Sequence, residues 1–299
     1  MSLTRDDLSL QGLVQKQSLP LEGKIQLSSL RIREWYEHWG GKVFVSFSGG
    51  LDSTVLLHLV RSLYPDVPAM FCDTGVAYPE TRAFVKSHSD VAIVRPNMPF
   101  SQVIQKYGYP VISRGQANCI YTYRNGGAET KARRWLGWQA GARPFTISKQ
   151  WIMLIHAPFG ISGYCCNVLK KLPSARYERY GKVIPMLGLR AEESRARRMQ
   201  YLKHGCLLYS SKRPVASPLS FWVGEDIREY VHQFNVPYCE LYDQGFDRTG
   251  CMYCLFGIFK ESQPNRFQRL RALHPDLWAY CLDKLGYRQV LEYLLIPYE

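Results

Sequence analysis

The stretch VFVSFSGGLDSTVLLHLV, residues 43–60, decides the fold. Val43 through Phe47 is a short, mostly apolar run rich in β-branched and aromatic side chains, as expected of a buried parallel strand. Ser48-Gly49-Gly50-Leu51-Asp52-Ser53 interrupts it, and from 54 to 63 apolar residues return at helical spacing. Strand, glycine turn and helix in that order aim backbone N–H groups and the positive end of a helix dipole at one point, which makes an anion site. Gly49 and Gly50 permit positive φ and let a phosphate come close to the backbone. Ser48, Ser53 and Thr54 add hydroxyl donors, and Asp52 offers a carboxylate to hold Mg²⁺ against the phosphates.

Neither of the two commonest phosphate loops is present: there is no GxxxxGK[ST], and no GxGxxG follows a strand. SGGxDS instead resembles the PP-loop of the ATP pyrophosphatases, which split ATP to AMP and pyrophosphate while activating a substrate oxygen. A serine- and glycine-rich turn that only caps a helix is the plainer alternative. Six residues in the right strand–helix context favour the nucleotide site.

Working outward, the 299 residues suffice for a full core. A hydrophobic content of 46% and 20 tyrosines exclude a disordered chain. No apolar run approaches the ~20 residues of a membrane helix, and MSLTRDDLSLQGLV lacks a signal-peptide pattern, so a cytoplasmic protein without membrane contact is expected. In that compartment nine cysteines point to metal or redox chemistry before disulfides. The formal net charge of +13, from 38 basic and 25 acidic residues, attracts polyanions. A nucleotide site needs only a few of those charges. A large acidic partner such as nucleic acid therefore stands beside a simple solubility role.

Residues 1–23 read as a polar N-terminal arm, and LSSLRIREWYEHW (27–39) as a helix covering the sheet. Ala69 to Cys72 is the next strand. Ligands in doubly wound sheets bind at the carboxyl ends of strands, so Asp73 and Thr74 are expected to face the crevice of the glycine turn. A third strand is expected at 91–94 and a short helix at 100–106. From 108 to 163 regularity weakens into an insertion in which basic and aromatic residues alternate: Arg114, Arg124, Lys131, Arg133, Arg134, Trp135, Trp138, Arg143, Lys149 and Trp151. Such a mixture suits stacking on bases and pairing with phosphates, or else a helical subdomain with a solvated basic face. Cys119, in the polar stretch QANCIYTY, is a candidate reactive thiol.

Another strand at 182–189 runs into Gly188-Leu189-Arg190, where an arginine could clamp an α-phosphate, with Glu193, Ser194 and Arg195 fixing it from behind. Arg195, Arg197, Arg198, Lys203 and His204 continue as a basic run. A helix is expected at 223–234 and a helical tail at 264–298, which sets domain limits at 24–235 and 236–299.

Cys165-Cys166 and Cys251-x-x-Cys254 form the second strong signal. Four thiolates are the usual set for a [4Fe–4S] cluster and also for structural zinc. Vicinal cysteines are unusual in zinc sites, so the cluster is the preferred reading. Lys170 and Lys171 would offset its negative charge. Cys239 as a substitute ligand, a dithiol redox pair and inert core thiols remain alternatives.

Taken together, SFSGGLDS (46–53), DTGVAYPET (73–81), Cys165-Cys166 with Lys170, GLRAEESRAR (188–197), SPLSFWVGEDIREYV (217–231) and LYDQGFDRTGCMYC (241–254) resemble the phosphoadenylyl-sulfate (PAPS) and adenylyl-sulfate (APS) reductase superfamily. The resemblance implies an α/β fold, a Rossmann-like doubly wound parallel sheet of the adenine-nucleotide α-hydrolase kind, with a helical, cysteine-bearing C-terminal part. It implies ATP and Mg²⁺ held by Ser46, Ser48, Gly49, Gly50, Asp52, Ser53, Asp73, Thr74, Gly188, Arg190 and Glu193, with Asp52 and Arg190 catalytic. It also implies a [4Fe–4S] cluster on Cys165, Cys166, Cys251 and Cys254, zinc being the alternative. The chain ends LLIPYE with no cysteine after Cys281, whereas sulfonucleotide reductases carry a nucleophilic thiol on a C-terminal tail; those reductases also often have a degraded loop, and this one is intact. Both departures point to the ATP-using relatives that thiolate nucleic acids, the Dnd- and Ssp-type sulfurtransferases of DNA phosphorothioation and, more distantly, the tRNA thiolases. The implied partners are a cysteine desulfurase, nucleic acid (DNA ahead of tRNA) and other modification-system proteins. An APS/PAPS reductase and a non-catalytic, nucleotide- and cluster-dependent regulator are the other readings.

Overall fold

In the computed structural model, which describes residues 8–131 and 146–299, the apolar run at 43–47 becomes β1 (Val43–Ser46), with Val43, Phe44 and Val45 fully buried. The basic and aromatic residues Arg133, Arg134, Trp135, Trp138 and Arg143 lie outside the described residues. The chain divides into two compact units that interleave in sequence: Met1–Asp73, Tyr78–Val94 and Ser174–Thr249 form the first, and Thr74–Ala77, Arg95–Pro173 and Gly250–Glu299 the second.

The first unit is built on a six-stranded sheet. After β1 come α3 (Leu51–Leu63), β2 (Ala69–Cys72), α4 (Pro79–Lys86) and β3 (Val91–Val94). The chain returns to this unit with β5 (Ile184–Leu187), α8 (Arg195–His204), β6 (Leu207–Leu208), β7 (Val215–Ala216) and α9 (Gly224–Gln233). Strand order is β3-β2-β1-β5-β7-β6, parallel except for the antiparallel β6–β7 pair. This is the expected doubly wound parallel sheet. Because β2 and β5 leave β1 in opposite directions, the strand order reverses between β1 and β5, where such sheets open a ligand crevice above the strand ends.

The stretch expected to be an arm is helical from Leu10: α1 (Leu10–Gln17) is capped by Ser9, whose Oγ accepts the Gly12 N–H, and buries Leu13. Helix α2 (Leu21–His38) starts well before the predicted 27, directly after its N-cap Pro20, and buries Ile32 and Trp35. Covering an aliphatic side chain of this size stabilises the fold by about 1.5–3 kcal/mol. Lys24, also on α2, is buried and ion-paired at 2.7 Å with Asp226 of α9, whose other oxygen accepts the Val223 N–H at 2.6 Å. Trp222 Nε1 donates to Ser28 Oγ at 2.8 Å, tying the same two segments.

The second unit contains α5 (Phe100–Tyr107), β4 (Val111–Ile112), α6 (Arg114–Asn125), a 3₁₀ segment at Lys149–His156 and a π-helical turn at Asn167–Lys171. α7 (Leu172–Gly181) carries the chain back to β5. β8 (Leu255–Phe256) pairs in parallel with β4, and α10 (Arg266–Leu273), α11 (Pro275–Asp283) and α12 (Tyr287–Tyr293) surround the buried Tyr287, whose hydroxyl donates to the Tyr253 carbonyl at 2.6 Å. Among the described residues no helix is long and apolar enough to cross a membrane.

Candidate functional site

The glycine turn between β1 and α3 closes on itself through its serines. Ser53 Oγ accepts the Ser48 N–H at 3.1 Å, lies 3.0 Å from Ser48 Oγ and donates to the Gly50 carbonyl at 2.8 Å. Thr54 Oγ1 donates to the same carbonyl at 3.0 Å. Gly49 has φ +75°, and a Cβ there would come within 2.8 Å of Thr81 and 3.1 Å of Val85, so both its conformation and its surroundings demand glycine. Ser46 sits at the end of β1, half-buried.

The neighbouring strand β5 delivers the second half of the site. A Cβ on Gly188 would meet the Asp52 carbonyl oxygen at 2.7 Å and Ser53 N at 2.9 Å, so the turn after β5 lies directly against the first turn of α3. That contact carries Arg190 to Asp52: its Nε donates to Asp52 Oδ1 at 2.5 Å. Arg190 Nη1 also pairs with Glu192, which accepts the Gly224 N–H at 2.8 Å. The expected backing of Arg190 by Glu193, Ser194 and Arg195 is only partly realised. Glu193 accepts the Arg190 backbone N–H at 2.8 Å and pairs with Arg197, while Ser194 caps α8 and Arg195 is exposed. Arg197, on α8, rather than Arg195 is the residue whose charge interacts with Asp52. Burial lowers the pKa of Arg197, and the negative Asp52 opposes that shift.

Asp52 and Arg190 open onto a cavity of about 360 Å³ whose walls include Arg228, Tyr238, Tyr242, Phe246 and Arg248. Tyr242 Oη accepts the Leu51 N–H at 3.0 Å, so this hydroxyl occupies one of the N-terminal donors of α3. Tyr242 was not among the expected site residues, and Arg197 was named only as part of the basic run after Arg190. Tyr242 does lie inside the quoted LYDQGFDRTG motif, which was the one available signal. Asp73, at the end of β2, accepts from Arg82 Nε and Nη2 at 3.0 and 2.7 Å. Thr74 belongs to the other unit, with Oγ1 3.9 Å from Cys251 Sγ. The boundary between the two units falls at the peptide bond between these residues.

In the second unit the four predicted cysteines interact as one group. Cys165 donates a hydrogen bond to Cys166, which raises the Cys165 pKa and lowers that of Cys166 to about 6. Lys170, Arg114 and Lys171 further favour the Cys166 thiolate. The Lys170 ammonium is held charged chiefly by Cys251, then by Cys166 and Cys254. Burial pushes Cys254 up to about 11. The CxxC loop is fixed by Met252 N donating to the Val76 carbonyl at 2.9 Å and by Arg266 Nη1 donating to the Cys254 carbonyl at 2.8 Å. Among the described residues no three metal-binding side chains converge as closely as one coordinated ion requires. Four thiols with a lysine set against them nonetheless fit the donor chemistry of a net-negative iron–sulfur cluster.

The other cysteines stand apart from this group. Cys239 belongs to the first unit, buried beside Thr81 Oγ1 at 3.8 Å. Cys119 is on α6 with 1% exposure, a core thiol rather than the reactive one its polar neighbours suggested. Arg124 is not a surface cation for phosphates either: it donates to the carbonyls of Leu154, Ile155, Ala157 and Phe159 at 2.6–2.9 Å.

The sequence has relatives. An uncharacterized protein of Methanocaldococcus jannaschii is 26% identical over 277 residues, 88% of this chain and 54% of that protein, so the chain spans about half the length of this relative. The adenosine 5′-phosphosulfate reductase of Geobacillus thermodenitrificans is 25% identical over 243 residues, 81% of this chain and 84% of the reductase. Among solved structures, the phosphoadenylyl-sulfate reductase from Candida auris in its phosphate complex superposes with a TM-score of 0.46 at 18% identity, covering 84% of this chain and 97% of that one. Residues 42–112 and 140–255, more than half of the chain, match the phosphoadenosine phosphosulfate reductase domain. The glycine turn, β5 with Arg190 and the Cys165-Cys166 and CxxC segments all fall within the matched residues, and the chain belongs to that family.

Proposed function

We propose that this protein is a cytoplasmic ATP pyrophosphatase with a [4Fe–4S] cluster that acts as a sulfurtransferase in nucleic-acid sulfur modification, DNA phosphorothioation first. The observation that carries the reading is the intact, serine-braced SGGLDS turn with Arg190 drawn onto Asp52 at the β1/β5 switch point. The donors at the start of α3 suit the phosphates of ATP, and Arg190 lies beside them to stabilise charge that develops at the α-phosphorus. A substrate oxygen attacks that phosphorus, the bond to the β-phosphate oxygen breaks, and pyrophosphate leaves. A sulfur nucleophile supplied by a cysteine desulfurase then displaces AMP from the activated substrate.

Asp52 is the residue that would hold Mg²⁺, its Oδ1 also keeping Arg190 in place. When bound, the ion supplies further neutralisation of the leaving pyrophosphate. Cys165, Cys166, Cys251 and Cys254 would hold the cluster, which supplies an electron-rich, sulfur-bearing centre. Lys170 and Lys171 compensate its charge.

A second reading, reduction of APS, is favoured by the relatives named adenosine 5′-phosphosulfate reductase, one of which aligns over 84% of its length. One assay separates the two. Purified anaerobic protein is given α-labelled ATP with Mg²⁺ and DNA, or APS with thioredoxin. AMP and pyrophosphate from ATP, lost in Asp52→Ala, are expected. Sulfite from APS with no turnover of ATP would replace the proposal by the second reading.

A further inference from the structure

The positive charge is unevenly distributed. Residues 95–173, all in the second unit, hold eleven Lys and Arg against one acidic residue, Glu129, which is +10 of the +13 on the whole chain. Arg124 is consumed by backbone carbonyls, and Lys170 faces the thiols. Lys149 remains exposed at the start of the 3₁₀ segment that carries Trp151. Trp151 packs on Phe259 with ring centroids 4.8 Å apart and planes at 48°, and Phe259 is 43% exposed. Lys260, next to it, is exposed, and its sequence neighbour Glu261 is held by Arg266.

Single exposed apolar residues are ordinary. Two touching, partly exposed aromatic rings bracketed by lysines in so basic a region are less so. The platform is also rigid. Gln116 ties down the 3₁₀ segment, accepting the Ser148 N–H at 2.9 Å and donating to the Thr146 carbonyl at 3.0 Å, and Arg124 clamps the far end of the segment. Phe259 follows Cys254 by five residues, on the 3₁₀ turn Ile258–Lys260 just after β8, which is held to β4 and where Gly257 N donates to the Ile112 carbonyl at 2.8 Å. Pre-ordering of this kind lowers the entropy lost when a partner binds.

We propose that Trp151 and Phe259, flanked by Lys149 and Lys260, form a stacking platform for an unpaired base of single-stranded nucleic acid, whose phosphates the two lysines contact. The proposal rests on the nucleic-acid reading above and locates the partner on the cysteine-bearing unit. Aromatic faces accept any base, whereas a duplex keeps its base faces covered. An acidic protein would use the lysines and leave the rings unused.

The test measures binding of a fluorescein-labelled 20-nucleotide single strand to the full chain by anisotropy over a salt series, alongside its ATP turnover. Phe259→Ala and Trp151→Ala are expected to weaken binding by about tenfold or more, with Trp151→Phe retaining most of the affinity. Strand-induced quenching of tryptophan emission should shrink in Trp151→Phe. Lys149→Gln with Lys260→Gln should lower the slope of log affinity against log salt by about 1.4, roughly 0.7 per lost phosphate contact. Thermal unfolding of each variant checks the fold, and Phe259→Ala, at an exposed ring, is the variant least able to disturb it. Strand binding that all these variants leave within twofold overturns the platform and keeps the nucleic-acid reading. Absence of strand binding while ATP is still cleaved overturns both and leaves the adenylating site.

Discussion

Gly188 and Asp52 are in van der Waals contact through their backbones: no side-chain carbon fits on Gly188 without coming within 2.7 Å of the Asp52 carbonyl oxygen. This close approach sets the distance between the β5 turn and the phosphate loop. Gly188→Ala should push the two apart, weaken ATP binding by tenfold or more and lower stability by about 1–3 kcal/mol. Calorimetric titration with ATP and thermal unfolding would show it, and wild-type affinity in the variant would mean that the contact is slack.

Arg190 is fixed on three sides, by Asp52, by Glu192 and by Glu193 at its backbone. Its planar fork serves these partners and a phosphate together, which an ammonium does not. Arg190→Lys is therefore expected to lose about 10²–10³ in pyrophosphate release, nearly as much as Arg190→Ala, with a smaller effect on ATP affinity. Full rescue by lysine would reduce the role of Arg190 to a point charge.

Lys24 and Asp226 form a buried ion pair. Lys24→Met leaves Asp226 uncompensated and should cost about 3–5 kcal/mol in urea unfolding. Lys24→Met with Asp226→Asn should recover part of that loss, since asparagine can still accept the Val223 N–H. A double variant no more stable than the single one would argue that packing of the Lys24 stem, not its charge, is what matters.

The cysteines separate by unit. Anaerobically purified wild-type protein is expected to absorb broadly near 400 nm, with iron and sulfide in equal amounts. Cys251→Ala should abolish the band and Cys239→Ala should leave it intact, because the Cys239 thiol is buried against the Thr81 hydroxyl. Chelation of the iron should bleach the same band. A colourless protein containing zinc would turn the four thiols into a structural clip.

His58 lies against Tyr230, its Nδ1 2.9 Å from the hydroxyl, and burial lowers its pKa from the ordinary 6.5. The folded protein keeps it neutral where the unfolded chain takes up a proton. Stability should therefore fall as pH drops below about 6.5 and level off once the folded state also protonates. His58→Gln should flatten that part of the urea-unfolding profile between pH 7.5 and 5.5, and an unchanged slope would assign the loss to other groups.

The phosphate turn, the strands on either side of it and the paired cysteine motifs were legible from the chain itself, because each depends on neighbours a few residues away. A glycine turn between an apolar strand and an amphipathic helix aims its donors wherever the rest of the molecule lies, and C-x-x-C spacing sets two thiols on one loop. Other features come from segments brought together across more than a hundred residues. Tyr242 on the Leu51 N–H, Asp226 under Lys24 and the Gly188 backbone on Asp52 leave no local periodicity to read. Even adjacent residues parted company, Asp73 to Arg82 in the sheet unit and Thr74 to Cys251 in the cysteine unit. Polar residues near Cys119 and a run of basic ones around Arg124 suggested surface, and folding made one a core thiol and the other a clamp on four carbonyls. Local sequence determined which groups this protein has to offer, and the long-range packing decided which of them remain free to act, since a donor already satisfied by the fold has none left for a ligand.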